Sequence, residues 1–472
     1  MTELWRLGAT ALAEGYRSGA FDPVEVLNAC LTRAAACQSA VNAFVHLDAE
    51  RGRIAALASR ERWARGAPLG PLDGVPISLK DNLHAAGMPT TWGSRLLRDF
   101  IAGSDELPVS RLRAAGAVIF GKTNLPEFAL QGITDNLLHG PTRNPWDLSL
   151  TPGGSSGGAA AAVACGCGPL ALVTDGGGST RRPASHTGLV GFKPSAGLIA
   201  RGGGLPEIFL EYEVPGMLGR HVSDVQSLAG VLAERALAHA SARPARILYV
   251  PRFGSNPVEP GIAQRVAEAA RQLASLGHAI EEAPPAEWAE EINEVWPVLS
   301  SAGLAWMLRD AARFPELRLP AGQAADLSLC GPSAQANAAQ GGTANATALF
   351  AAFAAIHVLR KRMDEVFSHC DFILTPATAA LPWPAQQSHP SEIGGTAVGP
   401  RGHAVFTAFA NAAGLPAIAL PCGFANVLPT GFQLVARPGA DAALLALALQ
   451  YEQAFPWHAH WPPGAVATMA VS

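Results

Sequence analysis

Glycine dominates one stretch of this chain, residues 151–191, and it places two serines in similar surroundings. Ser155 lies within the run Gly153–Gly158, and Ser179 directly follows Gly176–Gly178. Because glycine has no Cβ, such loops let several backbone N–H groups approach one ligand atom and adopt positive φ at low cost. A serine in such a loop can act as a nucleophile beside its own oxyanion site, and both serines fit this description.

The residues that precede each serine distinguish the two. The apolar, β-branched run Leu170–Thr174 predicts a strand that ends just before Ser179, and active groups in α/β sheets favour the carboxyl ends of strands. Ser155 satisfies a Gly-x-Ser-x-Gly pattern, but turn-forming residues (Asn144–Asp147) precede it instead of the strand that a nucleophile elbow needs. Ser179 therefore has the better placement, and Ser155 has the better pattern.

A serine nucleophile needs a base, because its hydroxyl is a weak nucleophile at neutral pH. The chain has 13 histidines, and no pattern ties any of them to either serine. A serine–lysine arrangement is the other known solution. Lys80 ends the apolar run Val75–Leu79, which predicts a lysine held at a strand end beside the core; an ordinary lysine paired with Asp81 is the alternative interpretation.

Strands alternate with helices along the chain, which predicts an α/β fold with a large, mostly parallel mixed sheet covered by helices on both faces. No long linker or strong internal repeat divides the sequence, so we expect a single domain over residues 1–472. Within it we predict N-terminal helices over about 1–66, a catalytic core over about 67–200, a candidate lid within about 201–345 of the C-terminal half, and closing strands and a helix to about 455.

Composition narrows the class of partner. A net charge of −4 with 15% charged residues provides no basic surface for nucleic acid. No apolar run makes a convincing membrane span and the N-terminus does not read as a signal peptide, so the sequence predicts a cytoplasmic protein without a membrane partner. The pair Cys165 and Cys167 lacks a second pair or a histidine cluster, so we expect no metal site.

Several motifs occur in an order that resembles the amidase signature family, and the resemblance covers nearly the whole chain. The motifs are Pro76–Asn82, Gly121–Phe128, Thr142–Asp147, Thr151–Gly158, Thr174–Ala184, Gly188–Pro194, Gly414–Ile418 and Gly431–Val435. The resemblance implies the fold of that family and an amide-cleaving reaction that uses no cofactor.

The resemblance also implies a lysine–serine–serine triad. Lys80 takes the position of the base, Ser155 that of a bridging serine with a cis peptide bond, and Ser179 that of the nucleophile. The pKa of a lysine base must fall from about 10.4 toward 7, and burial supplies such a shift. The expected oxyanion hole consists of the backbone N–H groups of Gly176, Gly177 and Gly178.

Two adjacent arginines follow the nucleophile where most family members have one. Arg181 matches the usual position. For Arg182 we predict binding of a substrate carboxylate, because a guanidinium binds a carboxylate through two parallel hydrogen bonds; a structural or surface role is the alternative.

Three functions remain open from the sequence. The main interpretation is a stand-alone amidase that hydrolyses the carboxamide C–N bond of a small molecule, with that amide as its partner, no direct nucleic-acid contact, and a homodimer compatible with it. The alternative is the glutamine-hydrolysing component of an aminoacyl-tRNA amidotransferase, which needs partner subunits. The third is a catalytically inactive binding protein, against which the joint presence of Lys80, Ser155 and Ser179 argues.

Overall fold

An eleven-stranded sheet runs through this computed structural model, which describes residues 3–237 and 243–463; residues 1–2, 238–242 and 464–472 of the predicted single domain lie outside them. Its strands are β1 (Phe44–Leu47), β2 (Pro76–Lys80), β3 (Val118–Thr123), β4 (Leu170–Asp175), β5 (Val190–Lys193), β6 (Val214–Gly219), β7 (Arg246–Tyr249), β8 (Ala279–Glu282), β9 (Phe372–Pro376), β12 (Ala417–Ala425) and β13 (Leu428–Ala436). A separate ribbon pairs β10 (Glu392–Ile393) with β11 (Thr396–Ala397).

Parallel and antiparallel pairs occupy different parts of the sheet, whose order is β1-β3-β2-β4-β6-β5-β12-β13-β9-β7-β8. Strands β3, β2 and β4 are parallel on one side, and β9, β7 and β8 are parallel on the other. The strands between β4 and β9 pair antiparallel, and β1 adds an antiparallel edge. The predicted α/β fold with a large mixed sheet is confirmed, but the sheet is not mostly parallel: four of its ten strand pairs are parallel, and they are confined to the two flanks.

Helices cover both faces of the sheet. They are α1 (Ala9–Ser18), α2 (Pro23–Val41), α3 (Ala49–Ala64), α4 (Leu107–Ala114), α5 (Gly157–Ala164), α6 (Arg181–Thr187), α7 (Val222–Leu232), α8 (Pro260–Ser275), α9 (Glu290–Arg309), α10 (Pro332–Thr343), α11 (Ala346–His369), α12 (Ala408–Ala412) and α13 (Asp441–Ala454). Successive residues of a strand point to opposite faces. Accordingly, Leu172 of β4 joins a buried cluster with α7, α8 and α13, whereas Val173 joins one with α5.

The arrangement of β2 and β4 positions the candidate site. Both strands are buried at every residue, and they are parallel neighbours with Leu79 opposite Leu172. Because the carboxyl ends of parallel strands meet at one edge of a sheet, Lys80 at the end of β2 lies beside the loop that follows Asp175. The run of apolar residues before each of these positions is what buries the two strands.

Residues 317–345, within the predicted lid, include α10 and contribute to a buried cluster. Leu317, Cys330 and Ala334 are buried there against Leu304 and Met307 of α9. Within residues 3–237 and 243–463, no single helix is long and apolar enough to cross a membrane. One bent pair, α10 and α11 at 100°, meets the same criteria of length and composition.

Helix α5 carries small residues because it approaches the end of β3 closely. A Cβ on Gly158 would lie 2.4 Å from the backbone nitrogen and 2.5 Å from the carbonyl oxygen of Asn124. These are main-chain atoms, so a side chain here requires the helix to move away from the strand. The glycines after Ser155 therefore let the loop that carries this serine pack against the core.

Two glycine-to-alanine substitutions are expected to act in opposite directions. Gly158→Ala forces the backbones of α5 and Asn124 apart and should lower the free energy of unfolding by about 1–3 kcal/mol, the usual range for overpacking. Gly342→Ala, on α10 with no atom near its added Cβ, should raise it by up to about 1 kcal/mol, because alanine is the better helix former. Urea denaturation measures both. Equal midpoints for the two variants would contradict the packing described for α5.

Candidate active site

Lys80 and Ser155 lie in direct contact in the core. The Lys80 Nζ is 2.7 Å from the Ser155 Oγ, 3.0 Å from the Thr174 Oγ1 and 3.3 Å from the Thr174 carbonyl oxygen. Asn82 donates a further hydrogen bond to the Thr174 hydroxyl at 2.9 Å. Lys80 and Ser155 are both fully buried.

This geometry accommodates a neutral amine as well as an ammonium, whose three N–H donors match the three oxygens. A neutral lysine has two N–H donors and one lone pair, and two of the three neighbouring oxygens belong to Thr174, where the carbonyl can only accept. The lone pair is then available to the Ser155 hydroxyl. Burial lowers the pKa of Lys80 to about 8, opposed by the charges of Glu213 and Asp175 and assisted by Arg201 and Arg182.

The two carboxylates that favour protonated Lys80 are each bound to an arginine. Glu213 lies 3.6 Å from Arg201, which also pairs with Glu106 at 2.8 Å. Asp175 lies 2.9 Å from Arg181, and both side chains are fully buried. Because these arginines offset the negative charges, burial determines the net direction of the Lys80 shift.

Ser155 and Ser179 belong to loops that are hydrogen-bonded to each other. The peptide bond between Gly154 and Ser155 is cis. The backbone N–H of Ser156 donates to the Ser179 carbonyl at 3.2 Å. Ser179 itself is 7% exposed, and its hydroxyl has no hydrogen-bond partner among the described residues. Ser179 is thus the member of the predicted triad that remains accessible to a substrate.

The predicted oxyanion hole is only partly free in this structure. The Gly178 N–H donates to the Asp175 Oδ1 at 2.6 Å, and the Gly177 N–H does so at 3.3 Å. No hydrogen bond from the N–H groups of Gly176 and Ser179 is found among the described residues. The oxyanion role of Gly176, Gly177 and Gly178 stays a prediction, and the free donors are those of Gly176 and Ser179.

Asp175 organises the loop that carries Ser179, a role that sequence reasoning missed. Besides the glycine amides, its carboxylate accepts hydrogen bonds from the Thr180 N–H at 3.0 Å and from the Arg181 Nε at 3.0 Å. Arg181 also donates to Asn411 and Gln433, both at 2.6 Å. Burial alone raises the pKa of Asp175, but Arg181 holds it well below its usual range. The available signal was the position of Asp175 at the end of a strand, directly before the glycines.

Arg182 lies between the two serine loops. Its Nη1 donates to the Gly177 carbonyl at 2.5 Å and to the Thr407 hydroxyl at 3.0 Å, and its Nη2 lies 3.4 Å from the Gly154 carbonyl. Arg182 therefore connects the loops of both serines to the segment before α12. Its binding of a substrate carboxylate stays a prediction.

A cavity and a group of side chains with the spacing of metal ligands both lie away from the triad. A cavity of about 420 Å³ is lined by Trp146, Gly188 and Tyr451, at the far end of α6 from Ser179. Within the described residues, His221 and His458 join Glu452 as the one group with the spacing of metal ligands, all within 4.8 Å. The carboxylate of Glu452 already accepts a backbone hydrogen bond, and the predicted absence of a metal and of a cofactor stays a prediction.

This chain belongs to the amidase family, whose model matches residues 25–445. A relative from Symbiobacterium thermophilum, named as the A subunit of glutamyl-tRNA(Gln) amidotransferase, is 35% identical over 488 residues, which cover 96% of this chain and 97% of that protein. A bacterial aryl acylamidase of the amidase signature family has a TM-score of 0.87 with 27% identity, covering 98% of both chains. A 6-aminohexanoate cyclic dimer hydrolase with bound substrate has a TM-score of 0.86 with 27% identity, covering 98% of this chain and 100% of that one. The predicted family is confirmed, and with it a hydrolase that acts on amides.

The predicted set of partners is wrong. We expected a small-molecule amide, with no direct nucleic acid, no membrane and at most a second copy of the chain. Curated relatives that align with nearly the full chain are instead named as one subunit of a tRNA-dependent enzyme. The net charge of −4 describes this chain alone and carries no information about a nucleic acid that another subunit would hold.

Removing one member of the buried ion pair beneath the nucleophile loop should destabilise the protein strongly. Arg181→Met leaves the Asp175 carboxylate buried without its cation and should cost about 3–5 kcal/mol of folding free energy. The double variant with Asp175→Asn should recover part of that loss, because it removes the uncompensated charge. Urea denaturation of the two single variants and the double variant checks this, and strictly additive losses would contradict the pairing.

Proposed function

We propose that this chain hydrolyses the side-chain carboxamide of glutamine through an acyl-enzyme on Ser179, as the glutamine-hydrolysing component of a glutamyl-tRNA amidotransferase. The observation that carries the chemistry is the buried contact of 2.7 Å between the Lys80 amine and the Ser155 hydroxyl, next to the loop of Ser179. The names of the curated relatives support the choice of amide and the assembly.

The proposed reaction begins with two linked proton transfers. Neutral Lys80 accepts the proton of the Ser155 hydroxyl while Ser155 accepts that of Ser179. The Ser179 oxygen then forms a bond to the carboxamide carbon, and the carbonyl electrons move onto its oxygen. Lys80 thereby becomes an ammonium held by the Thr174 oxygens, and no free alkoxide has to form in bulk water.

Backbone N–H groups stabilise the negative oxygen of this intermediate. The free amides of Gly176 and Ser179 are the available donors in the nucleophile loop, and one such donor contributes about 3–4 kcal/mol in comparable enzymes. The C–N bond then breaks as the relay returns a proton from Lys80 through Ser155 to the leaving nitrogen. Ammonia departs and leaves an ester between Ser179 and the glutamyl side chain.

Water completes the proposed cycle by the same relay. A water molecule loses its proton to the Lys80–Ser155 pair and attacks the ester carbon. Collapse of that intermediate releases glutamate and returns the proton to Ser179. Within the assembly, the chain would release the ammonia to a partner protein that holds the aminoacyl-tRNA.

The rate of acylation should depend on the protonation state of Lys80. Its pKa is lowered to about 8, so the neutral base is the dominant form only above that value. We expect kcat/KM for amide hydrolysis to rise about tenfold per pH unit below about pH 8 and to level off above it. Steady-state kinetics measure this profile, and a rate independent of pH between about 6 and 8 would contradict Lys80 as the base.

The two serines of the α6 region should respond differently to removal of their hydroxyls. Ser179→Ala removes the nucleophile and should reduce ammonia release at least about a thousandfold. Ser185→Ala is the matched control, because the Ser185 hydroxyl is buried but makes no hydrogen bond, so its loss should change the rate less than about twofold. Retention of full activity by Ser179→Ala would exclude the acyl-enzyme.

The amide donor is tested with the same assay. Release of ammonia and glutamate from glutamine is measured with the purified chain alone and with the remaining subunits of the Symbiobacterium thermophilum amidotransferase, whose own glutamine-hydrolysing component is the positive control. Glutamine should be the preferred substrate, and the partner subunits should increase its turnover. Preference for an aryl or cyclic amide over glutamine in both settings would contradict this proposal while leaving the Ser179 chemistry intact.

A further inference from the structure

The four carbonyl groups that precede Ser179 each accept a hydrogen bond. In chain order they are the carbonyls of Asp175, Gly176, Gly177 and Gly178, and their donors are the Asn411 side chain at 2.8 Å, the Trp296 indole at 3.1 Å, the Thr407 hydroxyl at 2.7 Å and the Arg182 main chain at 2.9 Å. A trans peptide is planar, and its C=O and N–H point in opposite directions. Each of these bonds therefore also sets the direction of the N–H in the same peptide.

Trp296 reaches this loop from α9, 120 positions further along the chain. Its side chain is 1% exposed, and its ring packs against those of Phe209 and Tyr212 at centroid distances of 5.6 Å and 5.5 Å. An indole N–H can only donate, and the bond that it makes is to the Gly176 carbonyl. The packing around the ring thus holds this donor in place beside the loop.

Helix α9 is itself held by close backbone contacts, although it lies in the segment where the sequence predicts a lid. An added Cβ on Gly303 of α9 would lie 1.9 Å from the Ile208 carbonyl oxygen. One on Gly341 of α10 would lie 1.8 Å from the carbonyl oxygen of Ser301 in α9. The indole of Trp296 is therefore carried by a helix that is packed tightly on both of these sides, which gives its N–H a defined position.

The glycines of the loop differ in what requires them. Gly178 has a φ of 109°, and an added Cβ on Gly177 would lie 2.9 Å from the Trp296 Nε1. Gly176 does not have positive φ, and an added Cβ there would come no closer than 3.4 Å to Glu213. Neither backbone conformation nor space demands glycine at position 176. Glycine there adds conformational freedom to the residue whose N–H is a free oxyanion donor.

We propose that Trp296 is a positioning residue for the oxyanion hole, which restricts Gly176 by holding the carbonyl of the peptide between Gly176 and Gly177. The opposite end of that peptide has only a long bond, from the Gly177 N–H to Asp175 at 3.3 Å. With Asn411 on the preceding carbonyl and Trp296 on its own, Gly176 keeps one conformation and its free N–H keeps one direction. The inference rests on the proposed function of Ser179 as the nucleophile.

Substitutions that remove the indole N–H test this role. Trp296→Phe keeps a buried aromatic ring without the donor, and Trp296→Met is a second variant that lacks it. Trp5→Phe is the matched control, because Trp5 is also buried and its Nε1 makes no hydrogen bond in the described part of the chain. Circular dichroism and urea denaturation identify the variants that are folded at the assay temperature.

Steady-state hydrolysis of L-glutamine and of para-nitroacetanilide is the first measurement. We expect Trp296→Phe to lower kcat about five- to tenfold and to change KM less than about twofold, because the bond acts on the negative oxygen of the intermediate. Trp5→Phe should leave both constants within about twofold of the unsubstituted protein. Adding Gly176→Ala to Trp296→Phe should restore part of kcat, because alanine restricts the same backbone angles.

A ketone that traps the nucleophile provides a second readout, which a general loss of stability would not move. With trifluoroacetophenone, the Ser179 oxygen forms a bond to the carbonyl carbon and the carbonyl electrons move onto its oxygen. The Ser179 proton passes through Ser155 to Lys80, and no group leaves. Because the adduct carries the negative oxygen of the amide intermediate, Trp296→Phe should weaken inhibition by about the same factor as it lowers kcat.

The outcomes separate this inference from the proposed function. Unchanged kcat in a folded Trp296 variant, unchanged inhibition by the ketone, or no recovery with Gly176→Ala overturns the positioning role. Hydrolysis of glutamine that depends on Ser179 would still support the proposed function in that case. A loss of kcat on para-nitroacetanilide, with no hydrolysis of glutamine by any variant, supports the positioning role and contradicts glutamine as the donor.

Discussion

The buried ion pair between Asp175 and Arg181 is the interaction on which the candidate active site depends. Its carboxylate accepts hydrogen bonds from Gly178, Gly177 and Thr180, so one side chain shapes the loop on both sides of Ser179. The guanidinium extends the same network to Gln433 of β13 and to the main chain of Thr407. A carboxylate in this position is tolerated because its two oxygens accept hydrogen bonds from backbone N–H groups, from the Asn411 amide and from the cationic Arg181 guanidinium.

The ion pair between Asp175 and Arg181 is also part of the balance of charges around Lys80. Arg181 and Arg201 are matched to the acids Asp175 and Glu213, so the negative charges nearest Lys80 are compensated. Arg182 is not matched to an acid, and its charge, like that of Arg201, lowers the pKa of Lys80. The same feature that favours neutral Lys80 thus leaves positive charge beside the loop of Ser179.

Local patterns in the sequence predicted the parts of the structure that depend on neighbouring residues. The spacing of Asp22 and Glu25 predicts a capping box at the start of α2, and it is present, with the Asp22 carboxylate accepting from the Glu25 N–H at 3.0 Å and the Glu25 carboxylate accepting from the Asp22 N–H at 2.8 Å. The apolar runs before Lys80 and before the glycines form β2 and β4 as expected. In contrast, residues 126–131 read as the beginning of a helix in the sequence, but only a short 3-10 turn forms there, because Phe128 and Ala129 adopt positive φ of 54° and 60°. Such values are set by contacts with distant residues, among them the hydrogen bond from the Phe128 N–H to the Trp92 carbonyl.

Short motifs and the alternation of apolar residues were sufficient to predict the α/β class, the family, and the lysine and serines of the candidate triad. The antiparallel centre of the sheet, the engagement of the Gly178 amide by Asp175 and the place of Arg182 between two loops emerged only in the folded chain. Folding also brought the Thr407 hydroxyl within 3.0 Å of the Arg182 Nη1, across 225 positions of the chain. Contacts of this kind join segments that lie far apart in the sequence and share no local pattern. They depend on burial and on charges that come close together only once the chain has folded.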